Sequence, residues 1–296
     1  MSSPLIATIE AGGTKMIAGL ASGPEDLRVR KRIPTTCPEE TISALISFFH
    51  HASSEHGPPE ALAIGSFGPL DLDRDSPTYG FVTNTPKPSW SNTDVLGPIQ
   101  KALGVPAVFE TDVNAALAGE AQWGAARGLQ HAAYFTIGTG IGGSIMIDGK
   151  LIHGEGHSEM GHMRVSRHAE DSFEGCCPFH QDCLEGLASG TAMSQRWNID
   201  AEHLGEDHPA WEIEADYLAQ ACLNLLMIAP PQRFILGGGV MEQEHLFPII
   251  IDCLKKHHND YGTSPKWDKL IVPPELGNNA GLLGCVALGQ KILSGC

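Results

Sequence analysis

LIATIEAGGTKMIAGLA (Leu5–Ala21) and HAAYFTIGTGIGGSIMIDGK (His131–Lys150) share one pattern: an apolar run, a glycine turn, a second apolar run. Such runs read as strand pairs closed by a tight turn. In the first, Glu10 ends the leading strand, Gly12 and Gly13 make the turn, and Thr14 and Lys15 follow. In the second, a strand over Ala132–Ile137 enters Gly138-Thr139-Gly140-Ile141-Gly142-Gly143 and leaves along Ser144–Ile147. Glycines carry no Cβ, so backbone amides can approach phosphate oxygens closely. The second turn is no P-loop, because no Gly-Lys-Ser/Thr ends it, and no dinucleotide fingerprint, because no helix starts there. Each alone is an ordinary hairpin signal. Two of them, in different halves of the chain, point to a duplicated α/β architecture with phosphates pinched between the halves.

Composition bounds the reading. A chain of 296 residues can bury two substantial cores. It is 42% hydrophobic and 18% charged, an ordinary globular balance. Nineteen Lys and Arg against 35 Asp and Glu give −16, with no basic run. That argues against nucleic acid and anionic membrane surfaces as partners. Phosphate ligands stay open, because backbone amides and a bound cation can hold them. No segment is long and apolar enough to span a bilayer. MSSPLIATIEAGGTK has no basic n-region and runs straight into a strand, so no signal peptide is expected. Eight cysteines in such a chain read as reduced thiols or metal ligands, and the cytosol is the expected compartment.

Other stretches add candidates. In PPQRFILGGGVME (Pro230–Glu242), after a helical stretch over about Pro209–Ile228, Phe234–Leu236 read as a short buried strand and Gly237–Gly239 as a turn. A helix is expected from Val240. The turn is either a plain strand-to-helix loop or a flat bed for an adenine ring. LGNNAGLLGCVALGQKIL (Leu276–Leu293) is a small-residue helix suited to tight packing. In VPAVFETDVNAALAGEAQWG (Val105–Gly124), Asp112 lies where a strand gives way to a helix, as an N-cap or as a functional carboxylate. GSFGPLDLDRDSPTYGFVTNTPKPSWSNTDVLG (Gly65–Gly97) is a long, loosely patterned loop, functional or disordered. Its Trp90 either stacks on a ligand or plugs an edge of the fold.

HSEMGHMRVSRHAEDSFEGCCPFHQDCLEGLASG (His157–Gly190) holds a compact donor set. Cys177, His180 and Cys183 form C-x2-H-x2-C, with His162 upstream as a fourth ligand. Two thiolates and two imidazoles suit tetrahedral zinc. Four protein ligands leave no open position for water, so the ion would be structural. A Cys176–Cys177 or Cys177–Cys183 disulfide and a set of unrelated thiols compete with this reading. The cytosolic setting disfavours the first and the ligand spacing the second. His157 and His168 are expected to be solvent-facing or bonded locally.

The order E-x-G-G-T-K (Glu10–Lys15), G-S-F-G-P (Gly65–Pro69), T-D-V-N-A-A (Thr111–Ala116), T-I-G-T-G-I-G-G (Thr136–Gly143), E-M-G-H-M (Glu159–Met163), C-L-E (Cys183–Glu185), L-G-G-G-V (Leu236–Val240) and N-N-A-G-L-L-G (Asn278–Gly284) resembles the ROK family of sugar kinases. The resemblance spans nearly the whole chain. It implies a two-lobed actin-like ATPase fold, a duplicated ribonuclease H-like α/β unit with the active site in the cleft between lobes. The first lobe would be residues 1–113 with a C-terminal helix over about 280–296 packed back on it. The second would be 114–279, with a zinc loop over about 157–185.

It also implies roles. Asp112 matches the general base. Glu159, His162 and Glu185 point at sugar hydroxyls, with Gly68 and Asn84 beside them. Glu10, Gly12, Gly13, Thr14, Lys15, Thr139, Gly140, Gly142, Gly237, Gly238 and Gly239 fall to ATP. A polyol is recognised by groups left unpaired without it, and phosphoryl transfer needs alignment, a cation and a proton acceptor. His162 would bind zinc through one ring nitrogen and sugar through the other.

Three departures from the common family pattern stand out. Glu10 replaces the usual Asp, Thr111 the usual Asn, and C-P-F-H-x-D-C the usual C-x-C-G-x2-G-C. The first and third, with T-P-K-P-x-W (Thr85–Trp90), resemble the fructokinase branch. The expectation is ATP-dependent phosphorylation of fructose, with Mg2+ on the nucleotide, structural Zn2+ and a homodimer. Other hexoses (glucose, mannose, N-acetylmannosamine) and a non-catalytic sugar-binding module are the alternatives. A sugar-responsive repressor of this fold would carry an N-terminal helix-turn-helix, for which the residues before Glu10 leave no room.

Overall fold

The first two apolar runs become β1 (Ile6–Ala11) and β2 (Lys15–Gly23), antiparallel, with Ala11 opposite Met16. This computed structural model describes residues 3–295 and divides into two compact units. The first comprises Met1–Gly128, His153–His157 and Glu275–Cys296. After β2 come β3 (Asp26–Pro34), α1 (Pro38–His56), β4 (Ala61–Ser66), β5 (Phe81–Val82), β6 (Thr93–Asp94), α2 (Leu96–Leu103), β7 (Ala107–Thr111) and α3 (Asp112–Trp123). The main sheet runs β3-β2-β1-β4-β7, with β1, β4 and β7 parallel.

Side chains alternate across a strand, so β1 serves two cores. Ala7, Ile9 and Ala11 join Leu45, Phe49, Ile64, Trp90 and Ile99. Ile6 faces the other way, toward Ala63, Ala115, Cys285 and Val286. A sheet covered on both faces needs continuous apolar strands, and that is how β1 and β4 read. The long Gly65–Gly97 stretch is ordered through the β5–β6 hairpin and buried Leu70, Val82, Trp90 and Val95. Trp90 is fully buried, donates its indole N–H to the Thr36 carbonyl at 2.8 Å and meets Phe67 edge-on. It is the plug.

The C-terminal helix, Ala280–Ser294, lies against α3 at unusually short range. A Cβ on Gly119 would sit 2.7 Å from the Ala280 carbonyl oxygen, and one on Gly284 would run into the Ala115 carbonyl. The expected boundary after Val113 therefore moves to Gly128: α3 is locked to the C-terminal helix and belongs to the first unit.

The second unit, Leu129–Ile152 with Ser158–Pro274, repeats the plan. It contains β8 (Ala132–Ile137), β9 (Ile141–Ile147), β10 (Lys150–Leu151), α4 (Leu184–Ala188), α5 (Gly190–Trp197), α6 (Ala210–Ile228), β11 (Phe234–Gly237), α7 (Leu246–His258), α8 (Trp267–Leu270) and β12 (Ile271–Val272). Its sheet runs β10-β9-β8-β11-β12. As in the first unit, an antiparallel hairpin partner lies on one side of the leading strand and parallel strands on the other. Phe135, Leu184, Leu187, Trp211, Tyr217, Phe234 and Leu246 fill its core. The helix expected from Val240 is a 3-10 turn over Gly239–Glu242, and α7 begins only at Leu246. Pro248 explains the delay, because proline is tolerated in the first turn of a helix and not in its interior. Among the described residues no helix is long and apolar enough to cross a membrane.

Gly284→Ala should cost at least about 1–3 kcal/mol, the ordinary penalty of overpacking, read as a lower urea midpoint. Gly205→Ala, where an added Cβ meets nothing within 4 Å, is the control and should leave the midpoint nearly unchanged.

Candidate active site

In the first unit the glycine turn is closed by the Gly12 N–H donating to the Lys15 carbonyl at 2.9 Å. Thr35 pins it from the end of β3, its hydroxyl donating to the Gly12 carbonyl and its N–H to the Thr14 carbonyl. Thr14 and Lys15 are exposed, and a Cβ on Gly13 would meet nothing. Glu10, on the same face of β1 as Ile6, lies against Gly281 of the C-terminal helix, where a Cβ would come 2.8 Å from its Cδ. Burial raises the Glu10 carboxyl above its ordinary value, against a smaller opposite pull from Lys15.

Asp112 is the first residue of α3, and the cap is Thr111: its hydroxyl accepts from the Asn114 N–H at 3.1 Å. The capping role open to Asp112 thus belongs to its neighbour. Asp112 Oδ1 accepts from the Val113 N–H at 2.9 Å. Thr111 is buried, and its hydroxyl is engaged in that cap. Gly65 on β4 lets the helix start sit close, since a Cβ there would reach within 3.4 Å of the Asp112 Cα. Gly68 lies under the His157 ring, and Asn84 is exposed after β5.

In the second unit, the Gly138–Gly143 turn is stitched to two helices. Glu185, in the first turn of α4, accepts the Ile141 N–H at 2.9 Å, and Gly140 leaves the room its carboxylate needs. From α5, the Gly190 N–H donates to the Gly138 carbonyl and the Thr191 hydroxyl to the Thr139 carbonyl, both at 2.7 Å. Beside the turn is a pocket of about 470 Å³, lined by Gly138, Thr139, Thr191, Ser194, Glu202 and Gly239 among others. The third glycine cluster divides. Gly239 lines the pocket, whereas Gly237 makes room for the Tyr134 hydroxyl and Gly238, at φ 93°, for the Ile137 backbone. Gly142 pairs with Thr136 in the β8–β9 ladder.

Glu159 precedes a 3-10 turn, Met160–His162, that rests on the start of β9, where Gly161 leaves space for the Ile141 carbonyl. His162 then meets Cys177, His180 and Cys183, one donor atom from each lying within 4.8 Å of all the others. His162 Nδ1 is 3.5 Å from Cys183 Sγ and 3.7 Å from Cys177 Sγ, and Cys177 Sγ is 3.8 Å from His180 Nδ1. Zn–S bonds of about 2.3 Å and Zn–N bonds of about 2.0 Å give tetrahedral N–S edges of roughly 3.5 Å, so the donor set fits such an ion. Burial is the main cause pushing the Cys183 thiol up to about 11, so a thiolate there needs a cation beside it. Cys176 lies outside the donor set, and the described cysteines are all free thiols, which removes the disulfide reading.

The ROK family profile matches residues 6–292. This chain belongs to the ROK family. It is 44% identical over 284 residues to the fructokinase of Zymomonas mobilis subsp. mobilis, covering 95% of this chain and 94% of that one. With the fructokinase of Pediococcus pentosaceus it shares 42% identity over 291 residues, covering 98% and 99%. Among solved structures it is similar to the ROK hexokinase of Thermus thermophilus, at 26% identity and TM-score 0.81, with 99% and 100% covered. The duplicated sheets of this ROK chain are those of the ribonuclease H-like, actin-like ATPase fold expected from its motifs.

Several residues important to this ROK site escaped sequence reading. Asp171, before the metal loop, accepts from both guanidinium nitrogens of Arg196 on α5 and from the Tyr217 hydroxyl on α6. Burial pushes Asp171 up, but Tyr217, the Phe173 N–H and Arg196 outweigh it and hold the carboxyl below its ordinary value. The Arg196 and Asp171 side chains are only 7% and 2% exposed, so this pair ties the segment ahead of the Cys/His cluster to the helix beside the pocket. His157, expected to bond locally, accepts instead from the Leu70 N–H at 2.9 Å, and His153 meets Glu110 at 2.6 Å. Only the H-G-x-G-H spacing could have flagged that pair.

Asp171→Asn should destabilise the protein by about 3–5 kcal/mol at neutral pH, the cost of leaving a buried cation without its partner. A depressed carboxyl contributes above its unfolded value and loses that contribution as pH falls. In chemical denaturation the gap to wild type should therefore be full at pH 7 and shrink below about pH 4.

Proposed function

We propose that this protein is an ATP-dependent fructokinase that transfers the γ-phosphoryl group to D-fructose, giving fructose 6-phosphate. The observation that carries the catalytic reading is the division of labour at the start of α3, where Thr111 caps the helix and Asp112 stands at its first position. Fructokinases at 40–44% identity over nearly the whole chain support the sugar.

Phosphoryl transfer to a hydroxyl is mostly positioning and electrostatics. Asp112 accepts the proton of the sugar hydroxyl as it attacks. Glu159, His162, Glu185, Gly68 and Asn84 bind and orient the hexose. The two glycine turns, Gly12–Lys15 with Glu10 and Thr139–Gly142, present backbone amides and small side chains to the phosphates, and Gly239, which lines the pocket, takes the base. Magnesium arriving with the nucleotide supplies charge to the phosphate oxygens. Glu185 has one oxygen on the Ile141 N–H, so its other oxygen serves the sugar while the residue steadies the second turn.

His162, Cys177, His180 and Cys183 hold zinc as a structural ion. With His162 Nδ1 turned to the thiols, Nε2 serves the sugar side. Removing the ion loosens His162 and, through α4, Glu185.

Two experiments test this. ADP release with Mg-ATP should be fastest with fructose among fructose, glucose, mannose and N-acetylmannosamine. In Asp112→Asn it should fall by about 10²–10⁴-fold, the usual worth of a positioned base. Another hexose in the lead would sink the fructose assignment, and an active Asn variant would sink the base. Separately, atomic spectroscopy should find about one zinc per chain, from the four-ligand set. Stripping it should weaken fructose binding in calorimetry, and metal-free protein that binds and turns over fructose normally would end the zinc reading.

A further inference from the structure

His153 and His157 lie outside every role assigned above, yet both reach the residues that carry the proposed chemistry. The segment His153-Gly-Glu-Gly-His157 follows β10 in sequence but packs with the first unit. Its turn is closed by the Gly154 N–H donating to the Gly156 carbonyl at 3.0 Å. At one end, His153 Nε2 is 2.6 Å from Glu110 Oε2. At the other, His157 Nε2 accepts from the Leu70 N–H at 2.9 Å, and its ring covers Gly68.

Glu110 explains the first contact. It is 5% exposed, and both its oxygens are engaged. Oε1 accepts from the Thr111 N–H and from Asn114 Nδ2, each at 2.9 Å, and so brackets Asp112 from both sides. Oε2 has the imidazole of His153. In the Nε2–H tautomer His153 is the donor to Oε2. A buried carboxylate with an unfilled oxygen is costly, and it relieves that cost by moving or admitting water. Either response would slacken Thr111 and Asn114, and with them the backbone of Asp112. The second contact acts on the sugar side. Leu70 closes the Gly68-Pro69 corner, and His157 precedes Glu159 by two residues, so its Cα lies within about 7.6 Å of the Glu159 Cα.

We propose that His153 and His157 are positioning residues for phosphoryl transfer, a two-point strap that holds the Asp112 corner through Glu110 and the Gly68–Leu70 corner directly. The proposal rests on the kinase reading above. His153 acts on the base and so governs kcat. His157 acts on the sugar contacts and so governs the KM for fructose. Neither is among the residues lining the pocket beside the Gly138–Gly143 turn, and the KM for ATP stays where it is.

The test is steady-state kinetics on the zinc-loaded full chain, with His153→Leu, His153→Gln, His157→Leu and His157→Gln beside wild type and Asp112→Asn. His153→Leu should lower kcat by about 10–100-fold, the scale of a misplacement near 1 Å. In His153→Gln an amide N–H stands in for Nε2–H and should return kcat to within about threefold of wild type, a single hydrogen bond being worth about that much. His157→Leu should raise the KM for fructose more than it lowers kcat, and His157→Gln, with a carbonyl acceptor, should reverse that. Should the Leu variants fail to fold, the Gln pair decides, through near-wild-type kinetics in both. Leu variants with wild-type constants, or Gln variants as impaired as Leu, overturn the strap. A wild type that phosphorylates no hexose removes the kinase reading and the strap together. An active wild type with a dead Asp112→Asn and an unimpaired His153→Leu removes the strap alone.

Discussion

The closest backbone approach in the first unit, α3 against the C-terminal helix at Gly119 and Gly284, governs most of what surrounds the proposed base. Two helices can come this near only where neither carries a Cβ at the crossing. With that contact made, Ala115, Cys285 and Val286 fill the thin layer between helices and sheet, and Gly65 of β4 can lie under the start of α3. The same helix brings Gly281 to Glu10. Strand end, helix start and C-terminal helix therefore converge through a set of missing methyl groups. A side chain larger than hydrogen at any of these points would displace Asp112 or Glu10 before it touched a ligand.

The second unit solves a related problem with polar ties. Its Gly138–Gly143 turn has few side chains of its own to hold it in place. Glu185 holds it from α4, Gly190 and Thr191 hold it from α5, and the Met160–His162 turn lies across the start of β9. Arg196, a few residues along α5, reaches Asp171 ahead of the Cys/His cluster. Glu214 on α6 adds a contrast. Both its oxygens lack hydrogen-bond partners among the described residues, and burial raises its carboxyl well above the ordinary value against a smaller opposite pull from Arg196.

Much of this was legible in the chain because it depends on local rules. The two hairpins follow from apolar runs broken by glycines, and the Cys/His cluster from the close spacing of Cys177, His180 and Cys183. The placement of α6 was also close, expected from about Pro209 and observed from Ala210. The start of α7 was misread because the glycine signal at Gly237–Gly239 outweighed Pro248, which alone sets how early that helix can begin. What stayed hidden depends on partners far apart in sequence. Trp90 reads equally as a sugar platform or a plug until Thr36 is known to lie beside its indole N–H. His157 looks like a surface histidine until Leu70, and Glu110 like an exposed strand end until His153. Thr111 and Asp112 are adjacent and both able to cap, and only the backbone at the helix start decides between them.

The first unit is assembled from three separated pieces of chain, the last being Glu275–Cys296, whereas the second unit lies wholly between the outer two. On a ribosome the order of completion is fixed by that arrangement. Residues up to Pro274 emerge first, and the second unit has its whole sequence available while the first still lacks the helix that covers Ala115 and Gly119. Until the C-terminal helix leaves the exit tunnel, one face of the older sheet is bare and apolar, the kind of surface that chaperones bind. Residues translated after Pro274 therefore complete the environment of residues made long before them. A chain that stopped before Glu275 would leave β1, far back in the sequence, without a finished core.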